Sequence, residues 1–275
     1  MLPGMTARIV KNGDYGRDRF GTKEGNGVWQ TIVNNIPPHE TFVEAFAGTA
    51  TITRLKRAAT STIVIDSDAA VCADLHATFG DAAGLNVICG DAVAWLAKQA
   101  HKKPNTVVYC DPPYLFKVRR GGNRKRYGHE FGEEFLHGEL LTVLLKLARK
   151  GVPVLISGYQ SELYDRLLAQ WRRVDYQTTT RGGPQIESLW CSFPEPTELH
   201  EYSVAGKDFR HRERLKRKKT RWINRLATMP ALERAVLIAA IDEWRRQPST
   251  VPAMAAERPT ANGSGCGGPQ SGLAL

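Results

Sequence analysis

Near its centre the chain carries Thr106-Val107-Val108-Tyr109-Cys110-Asp111-Pro112-Pro113-Tyr114, an apolar run that ends at a carboxylate, two prolines and an aromatic ring. A short run rich in β-branched and aromatic side chains is typical of a buried strand. Because a residue that precedes a proline is pushed towards extended conformations, Asp111 and Pro112 cannot easily continue into a helix. The stretch therefore predicts a strand whose carboxyl end leads into an extended polar loop.

The residue types in this loop suit the binding of a planar, weakly nucleophilic amine. Attack by such an amine on an electrophilic methyl group requires a pyramidal nitrogen, which acceptors on its two N–H groups favour. Asp111 supplies one acceptor and the Pro112 carbonyl a second, since neither proline has an N–H to compete. Tyr114 offers a flat face for a base removed from its stack. The alternative is an ordinary strand-ending turn, because Asp and Pro are common turn formers.

Short apolar runs alternate with helical spacing along the rest of the chain. Strands separated by helices imply parallel pairing with right-handed crossovers, and the last two strands flank a turn at residues 181–184. We therefore predict an α/β fold, a doubly wound and mostly parallel sheet with an antiparallel edge hairpin. The predicted strands are residues 41–46, 62–66, 86–89, 106–110, 153–157, 173–179 and 186–192, and the predicted helices are 51–58, 68–78, 92–100 and 133–148.

Other strand ends carry residues that suit a cofactor without phosphates. The first strand leads through Glu44 and Phe46 into a turn with a single glycine, Gly48, whereas dinucleotide fingerprints use three glycines. Asp66 ends the second predicted strand, where a carboxylate can accept ribose hydroxyls, and Asp91 follows the third. Ligands of doubly wound sheets bind at such carboxyl ends. Each aspartate alone is equally well explained as a helix N-cap.

Together these residues resemble the Dam-type family of adenine-specific DNA methyltransferases, and a compact phage-like member in particular. The family's aromatic-Gly-small-Lys segment is similar to residues 20–23, its glycine turn to 46–50, its second acidic strand end to Asp66 and its catalytic tetrapeptide to residues 111–114. The resemblance implies a Rossmann-like fold and S-adenosyl-L-methionine as cofactor. It places Phe20, Lys23, Glu44, Phe46, Gly48, Asp66, Asp91 and Asp111 at the cofactor, and Asp111, Pro112, Pro113 and Tyr114 at the reacting base.

The chain departs from the family pattern in two places. Ala50 replaces the second glycine of the usual turn, and only residues 92–105 separate Asp91 from the catalytic strand, where Dam-type members commonly carry a target-recognition insert. Two basic segments, residues 117–127 and 209–222, are candidates for DNA binding through groove and phosphate contacts. Their predicted nucleic-acid contacts are Arg119, Arg120, Arg124, Lys125, Arg126, Arg210, Arg214, Lys216, Arg217 and Lys218. The alternative for the second segment is a charged surface helix packed through Phe209, Leu215 and Trp222.

Composition limits the setting and the partners. Lys and Arg number 38 against 28 Asp and Glu, giving a net charge of +10, so a polyanionic partner is plausible. Five cysteines without a Cys-x-x-Cys pair argue against a disulfide framework or a zinc site, and the seven histidines show no metal spacing. No stretch resembles a signal peptide or a membrane span. We expect a cytoplasmic, nucleoid-associated protein that uses no metal.

We predict three segments. Residues 1–200 form the catalytic domain, residues 201–246 form a basic helical segment, and residues 247–275 form a disordered tail. The last helix of the basic segment follows Pro230, and its apolar face is expected to make core or dimer contacts. The favoured function is methylation of adenine N6 in DNA. Methylation of cytosine N4 or of adenine in ribosomal RNA stays open, as does a non-catalytic DNA-binding accessory protein. No Pro-Cys dipeptide occurs, which argues against a cytosine ring-carbon methyltransferase.

Overall fold

A computed structural model describes residues 23–24, 27–102, 105–118, 131–180 and 183–246. Seven strands and eight α-helices lie within those residues. The strands are β1 Thr41–Ala45, β2 Ser61–Asp66, β3 Leu85–Cys89, β4 Thr106–Cys110, β5 Val154–Gly158, β6 Arg172–Thr180 and β7 Gly183–Cys191. The helices are α1 Val28–Val33, α2 Thr51–Leu55, α3 Ala69–Phe79, α4 Ala92–Gln99, α5 Glu134–Arg149, α6 Glu162–Leu167, α7 Phe209–Ala227 and α8 Ala231–Arg246.

The seven strands form one sheet in the order β3-β2-β1-β4-β5-β7-β6. The first five strands in this order pair in parallel, whereas β7 is antiparallel to β5 and β6 is antiparallel to β7. The chain runs outwards from β1 to β3, then returns to the other side of β1 to form β4. The switch point of the sheet therefore lies between β1 and β4, and the predicted doubly wound fold with an edge hairpin is confirmed.

The central strands are buried on both faces of the sheet. Every residue of β1, β4 and β5 is buried. Val43 and Val108 pack on one face with Leu140 of α5, whereas Phe42 and Val107 pack on the other face. Side chains alternate between faces along a strand, so two helical layers are needed to cover the sheet. Complete burial of one such apolar side chain stabilises the fold by about 1.5–3 kcal/mol.

Most predicted element ends differ from the observed ones by one residue, and β7 begins three residues earlier than predicted, at Gly183. Two of the differences have a clear cause in the backbone. The strand predicted to reach Phe46 ends at Ala45, because Phe46 has a left-handed φ of 58°. The helix predicted for residues 51–58 ends at Leu55, and Lys56 takes extended backbone with a ψ of 165°. The buried Lys56 ammonium donates to the Arg57 carbonyl at 2.9 Å and lies 4.2 Å from the centroid of the Phe42 ring.

The chain divides into two compact units, residues 1–219 and 220–275, with the boundary inside α7. In the second unit, Leu232 is 80% exposed and Trp244 is 69% exposed, and α8 has no buried residue. The prediction that the apolar face of this last helix is core is therefore wrong for residues 231–246, and the dimer alternative stays a prediction. None of the helices among the described residues is long and apolar enough to cross a membrane.

Candidate active site

The switch point brings the first glycine turn and the proline loop together. Ala45 and Cys110, the last residues of β1 and β4, are register partners. The Asp111 N–H donates to the Ala45 carbonyl at 3.3 Å, so the loop leaves the sheet directly beside Phe46. Crevices at this position are where doubly wound sheets bind their ligands.

The Asp111 carboxylate lies in a buried cluster of charged and phenolic side chains. The Lys23 Nζ is 3.0 Å from Asp111 Oδ1 and 2.9 Å from Glu187 Oε2, and it also contacts the Tyr114 hydroxyl. The Tyr176 hydroxyl donates to Glu187 Oε2 at 3.0 Å. One ammonium group is thus shared between two carboxylates at the end of β4.

Burial and charge act against each other on the titrating groups of this cluster. Burial raises the pKa of Asp111 to about 6, which Lys23 opposes and the nearby Glu187 carboxylate favours. Burial alone would lower the pKa of Lys23, but Asp111 and Glu187 raise it well above its ordinary value. Lys23 therefore carries its charge at neutral pH, and Asp111 is largely a carboxylate there.

Two aromatic rings stand beside the carboxylate. The Tyr114 and Tyr159 ring centroids are 4.4 Å apart, with 57° between the ring planes. Tyr159 follows β5, the strand next to β4, so both rings lie at the carboxyl edge of the sheet. Rings in contact at this angle form a corner, in which a planar base can stack on one ring and meet the edge of the other.

The turn after β1 fits a small cofactor. Phe46, Gly48 and Ala50 have left-handed φ values of 58°, 52° and 46°. A Cβ on Gly48 would meet no atom within 4 Å, so the turn faces open space. The Gly48 N–H donates to Asp66 Oδ2 at 2.9 Å, which ties the turn to the end of β2. Ala50 keeps the conformation that glycine adopts more easily, at a cost of roughly 1–2 kcal/mol.

Two of the predicted cofactor residues have structural partners. Glu44 is buried inside β1 and accepts from the backbone N–H of Thr53 at 2.7 Å; burial raises its pKa to about 7, and these hydrogen bonds oppose the rise. Asp91 is exposed and caps α4, accepting from Val93 N–H at 2.8 Å and Ala94 N–H at 3.1 Å. The N-cap alternative is therefore confirmed for Asp91, while cofactor contacts of Glu44 and Asp91 stay predictions.

The predicted DNA-binding residues fall into two groups. One group lies outside the described residues: Arg119, Arg120, Arg124, Lys125 and Arg126. Phe20, which is predicted at the cofactor, also lies outside them. The remaining predicted contacts lie on α7 and are exposed: Arg210, Arg214, Lys216, Arg217 and Lys218. Three of these, Arg210, Arg214 and Arg217, recur at helical spacing and share one stripe with Arg221. Lys216 projects from the opposite side of the helix.

Four residues of the site were not identified from the sequence: His137, Tyr159, Tyr176 and Glu187. Glu187 had a detectable signal, because it is the one charged residue of the predicted strand 186–192. Tyr159 also directly follows a predicted strand. His137 and Tyr176 gave no such signal, since histidine and tyrosine occur commonly in helices and strands that pack against a core.

Comparison with protein families bears directly on this site. Residues 73–180 match the family model of D12 class N6 adenine-specific DNA methyltransferases. The Dam-type resemblance is thereby confirmed. The matched residues contain the tetrapeptide at residues 111–114 and Asp91, whereas Lys23, Gly48, Asp66 and Glu187 lie outside them. The match supports methyl transfer as the reaction and S-adenosylmethionine as the methyl donor.

Several solved structures are similar to this chain at low sequence identity. The Escherichia coli protein yhhF, a proposed methyltransferase, is 20% identical with a TM-score of 0.38, over 60% of this chain and 80% of that one. A SAM-dependent methyltransferase from Agrobacterium tumefaciens is 13% identical over 59% and 58%, with a TM-score of 0.39. A proposed RNA methyltransferase from Pyrococcus horikoshii is 11% identical over 59% and 75%, also with a TM-score of 0.39. No curated protein matches the sequence.

Proposed function

We propose that this chain transfers a methyl group from S-adenosylmethionine to the exocyclic N6 of adenine in DNA. The observation that carries the proposal is the Asp111 carboxylate at the switch point, presented by an Asp-Pro-Pro-Tyr loop beside a glycine turn that faces open space. The bound cofactor supplies an electrophilic methyl group on a sulfonium. Of the residues predicted at the cofactor, Phe46, Gly48 and Asp66 would hold it at the turn after β1.

The chain's own groups act on the amine. Asp111 and the Pro112 carbonyl accept from its two N–H groups, which favours the pyramidal nitrogen that attack requires. Tyr114 stacks on the extruded base. Catalysis consists of positioning and polarisation, without a covalent enzyme intermediate. The nitrogen loses a proton after methylation, and the raised pKa of Asp111, about 6, suits a transient acceptor that passes the proton on to water.

Lys23 contacts the same carboxylate, that of Asp111, to which the target amine is proposed to donate. Its ammonium donates to Asp111 Oδ1, the kind of contact that an N–H of the target amine needs. An entering base that donates to the same oxygen competes with Lys23 for it. Glu187 lies 2.9 Å from the same ammonium and can retain it, so the displaced charge keeps a buried partner.

Labelled-methyl transfer tests the proposal. Purified chain with methyl-labelled S-adenosylmethionine is expected to label plasmid DNA, and the Asp111→Ala variant serves as the blank. Label in ribosomal RNA alone would favour the RNA alternative. Absence of label in any nucleic acid, with DNA binding intact, would favour the accessory protein and contradict the proposed activity.

The pH dependence identifies the group that accepts from the amine. If Asp111 must be ionised, kcat/KM falls as the pH decreases through about 6. Glu187→Gln removes a negative charge that raises the pKa of Asp111 and leaves Lys23 paired with Asp111 alone. Both effects lower that pKa, so the acid limb of the kcat/KM profile should move to lower pH.

The kcat/KM profile of the Glu187→Gln variant also shows whether Asp111 or Glu44 is the group that titrates in the acid limb. Burial raises the pKa of Glu44 to about 7, and Glu187 is not among the causes of that shift. An acid limb that stays in place in the Glu187→Gln variant would therefore belong to a group other than Asp111, and it would contradict the role given to the Asp111 carboxylate.

The basic stripe of α7 is proposed to grip DNA phosphates. Arg210, Arg214 and Arg217 are exposed along one side of the helix, and replacing all three with Gln should weaken binding to every sequence. Each lost phosphate contact reduces the slope of log K against log salt by about 0.9. The control replaces three exposed basic residues outside α7, Lys98, Arg149 and Lys150, with Gln. Equal slopes in the two variants would assign no phosphate contact to the stripe.

A further inference from the structure

The catalytic loop contains two consecutive residues that cannot donate backbone hydrogen bonds. Pro112 and Pro113 lack N–H groups, so the loop backbone cannot be tied to its surroundings by donating from either residue. The Asp111 N–H, just before the two prolines, donates to the Ala45 carbonyl. An anchor on the two prolines themselves has to come from a donor elsewhere that reaches one of their carbonyl oxygens.

His137 of α5 provides that donor. It is 1% exposed, and its Nε2 lies 3.0 Å from the Pro113 carbonyl oxygen. Its Nδ1 lies 2.8 Å from the Tyr164 hydroxyl on α6. The ring is held between Phe131 and Tyr164, at centroid distances of 5.3 Å and 5.7 Å.

The carbonyl partner fixes the direction of one hydrogen bond, and a neutral imidazole then fixes the direction of the other. A carbonyl oxygen can only accept, so the proton is on His137 Nε2. The Nδ1 of the neutral imidazole is then an acceptor, and the Tyr164 hydroxyl donates to it. Burial raises the pKa of Tyr164, so its phenol keeps the proton that it donates. The order of donation therefore runs from Tyr164 through His137 to Pro113.

We propose that His137 is a positioning residue of the catalytic loop, held in one tautomer by Tyr164 and fixing the Pro113 carbonyl so that the Asp111 and Pro112 acceptors keep their orientation. The two anchors, Ala45 on Asp111 and His137 on Pro113, lie on either side of Pro112. This inference rests on the proposed function. Misplacement of reacting groups by about 1 Å can cost about 100-fold in rate, so the second anchor acts on turnover rather than on cofactor affinity.

Two amide substitutions separate positioning from packing. In His137→Gln the amide nitrogen can reach the place of Nε2, whereas in His137→Asn it reaches only the place of Nδ1. His137→Asn should lower kcat for methylation of plasmid DNA by about 10- to 100-fold, while His137→Gln keeps kcat within about fivefold of wild type. The affinity for S-adenosylmethionine, measured by calorimetry, should change by less than about threefold in both.

Tyr164→Phe provides a variant that keeps the buried ring packed 4.9 Å from Trp190. It should lower kcat less than His137→Asn, and the double variant should be no slower than His137→Asn alone, because both act through one hydrogen bond to Pro113. Equal losses in the Gln and Asn variants, or additive losses in the double variant, would overturn the positioning role. Wild-type protein that methylates no nucleic acid would instead remove the proposed function on which this role rests.

Discussion

Asp111→Ala is expected to lower methyl transfer to DNA by at least about 100-fold, the scale seen when one preorganised polar group is removed from a reacting centre. The variant loses the acceptor that polarises the amine. The fold should persist, because Lys23 keeps the Glu187 carboxylate as its buried partner. Affinity for S-adenosylmethionine should persist in part, since the glycine turn and Asp66 are unchanged.

A carboxylate elsewhere on the sheet serves as the control for Asp111. Asp175 of β6 is exposed, pairs with Arg173 at 3.1 Å and accepts from the Ser188 hydroxyl at 2.6 Å. Asp175→Asn removes its charge and keeps an acceptor for Ser188. Turnover of this control should equal that of wild type. Near-normal methylation by Asp111→Ala, with the Asp175 control also active, would show that the carboxylate is not needed.

Tyr114→Ala is expected to lower kcat/KM for DNA by about 10- to 100-fold, because stacking of one base on an aromatic ring contributes about 1–3 kcal/mol. Tyr114→Phe keeps the ring and removes only the hydroxyl that contacts Lys23, so it should retain most of the activity. Steady-state kinetics at saturating S-adenosylmethionine measure both. The loss should fall on the DNA substrate and leave cofactor affinity unchanged.

The control for Tyr114 is an exposed tyrosine away from the sheet's carboxyl edge. Tyr202 is 61% exposed, and its hydroxyl accepts from the Leu199 N–H at 3.1 Å. Tyr202→Ala should leave kcat/KM unchanged. If Tyr114→Ala retained the kcat/KM of wild type, the extruded base would have to stack elsewhere, and the aromatic corner of Tyr114 and Tyr159 would lose its assigned role.

The fold could be predicted because its signals are local. Residues 106–110 form β4 with the predicted bounds, since a β-branched run followed by two prolines leaves few alternatives. Phe46 was assigned to β1 wrongly, because a left-handed residue other than glycine leaves no pattern in the sequence. The exposed apolar side chains of α8 could not be foreseen either, since an apolar pattern predicts burial without naming what covers it.

The candidate site was predicted only in part. Asp111 and Tyr114 follow from the motif, and Lys23 from the family resemblance. The pairing of Lys23 with Glu187 joins residues 164 positions apart, and it depends on the edge hairpin placing β7 beside β5. No local rule relates such residues. A charged residue in a buried strand signals a partner, but it does not identify one.

The identity of the methylated nucleoside tests the central claim most directly. Plasmid DNA methylated by the chain can be digested to nucleosides, which are separated and identified by mass. We predict N6-methyldeoxyadenosine, present with wild-type protein and absent with Asp111→Ala. N4-methyldeoxycytidine as the product, or a methylated nucleoside that persists in the Asp111→Ala sample, would contradict the assignment of this loop to adenine.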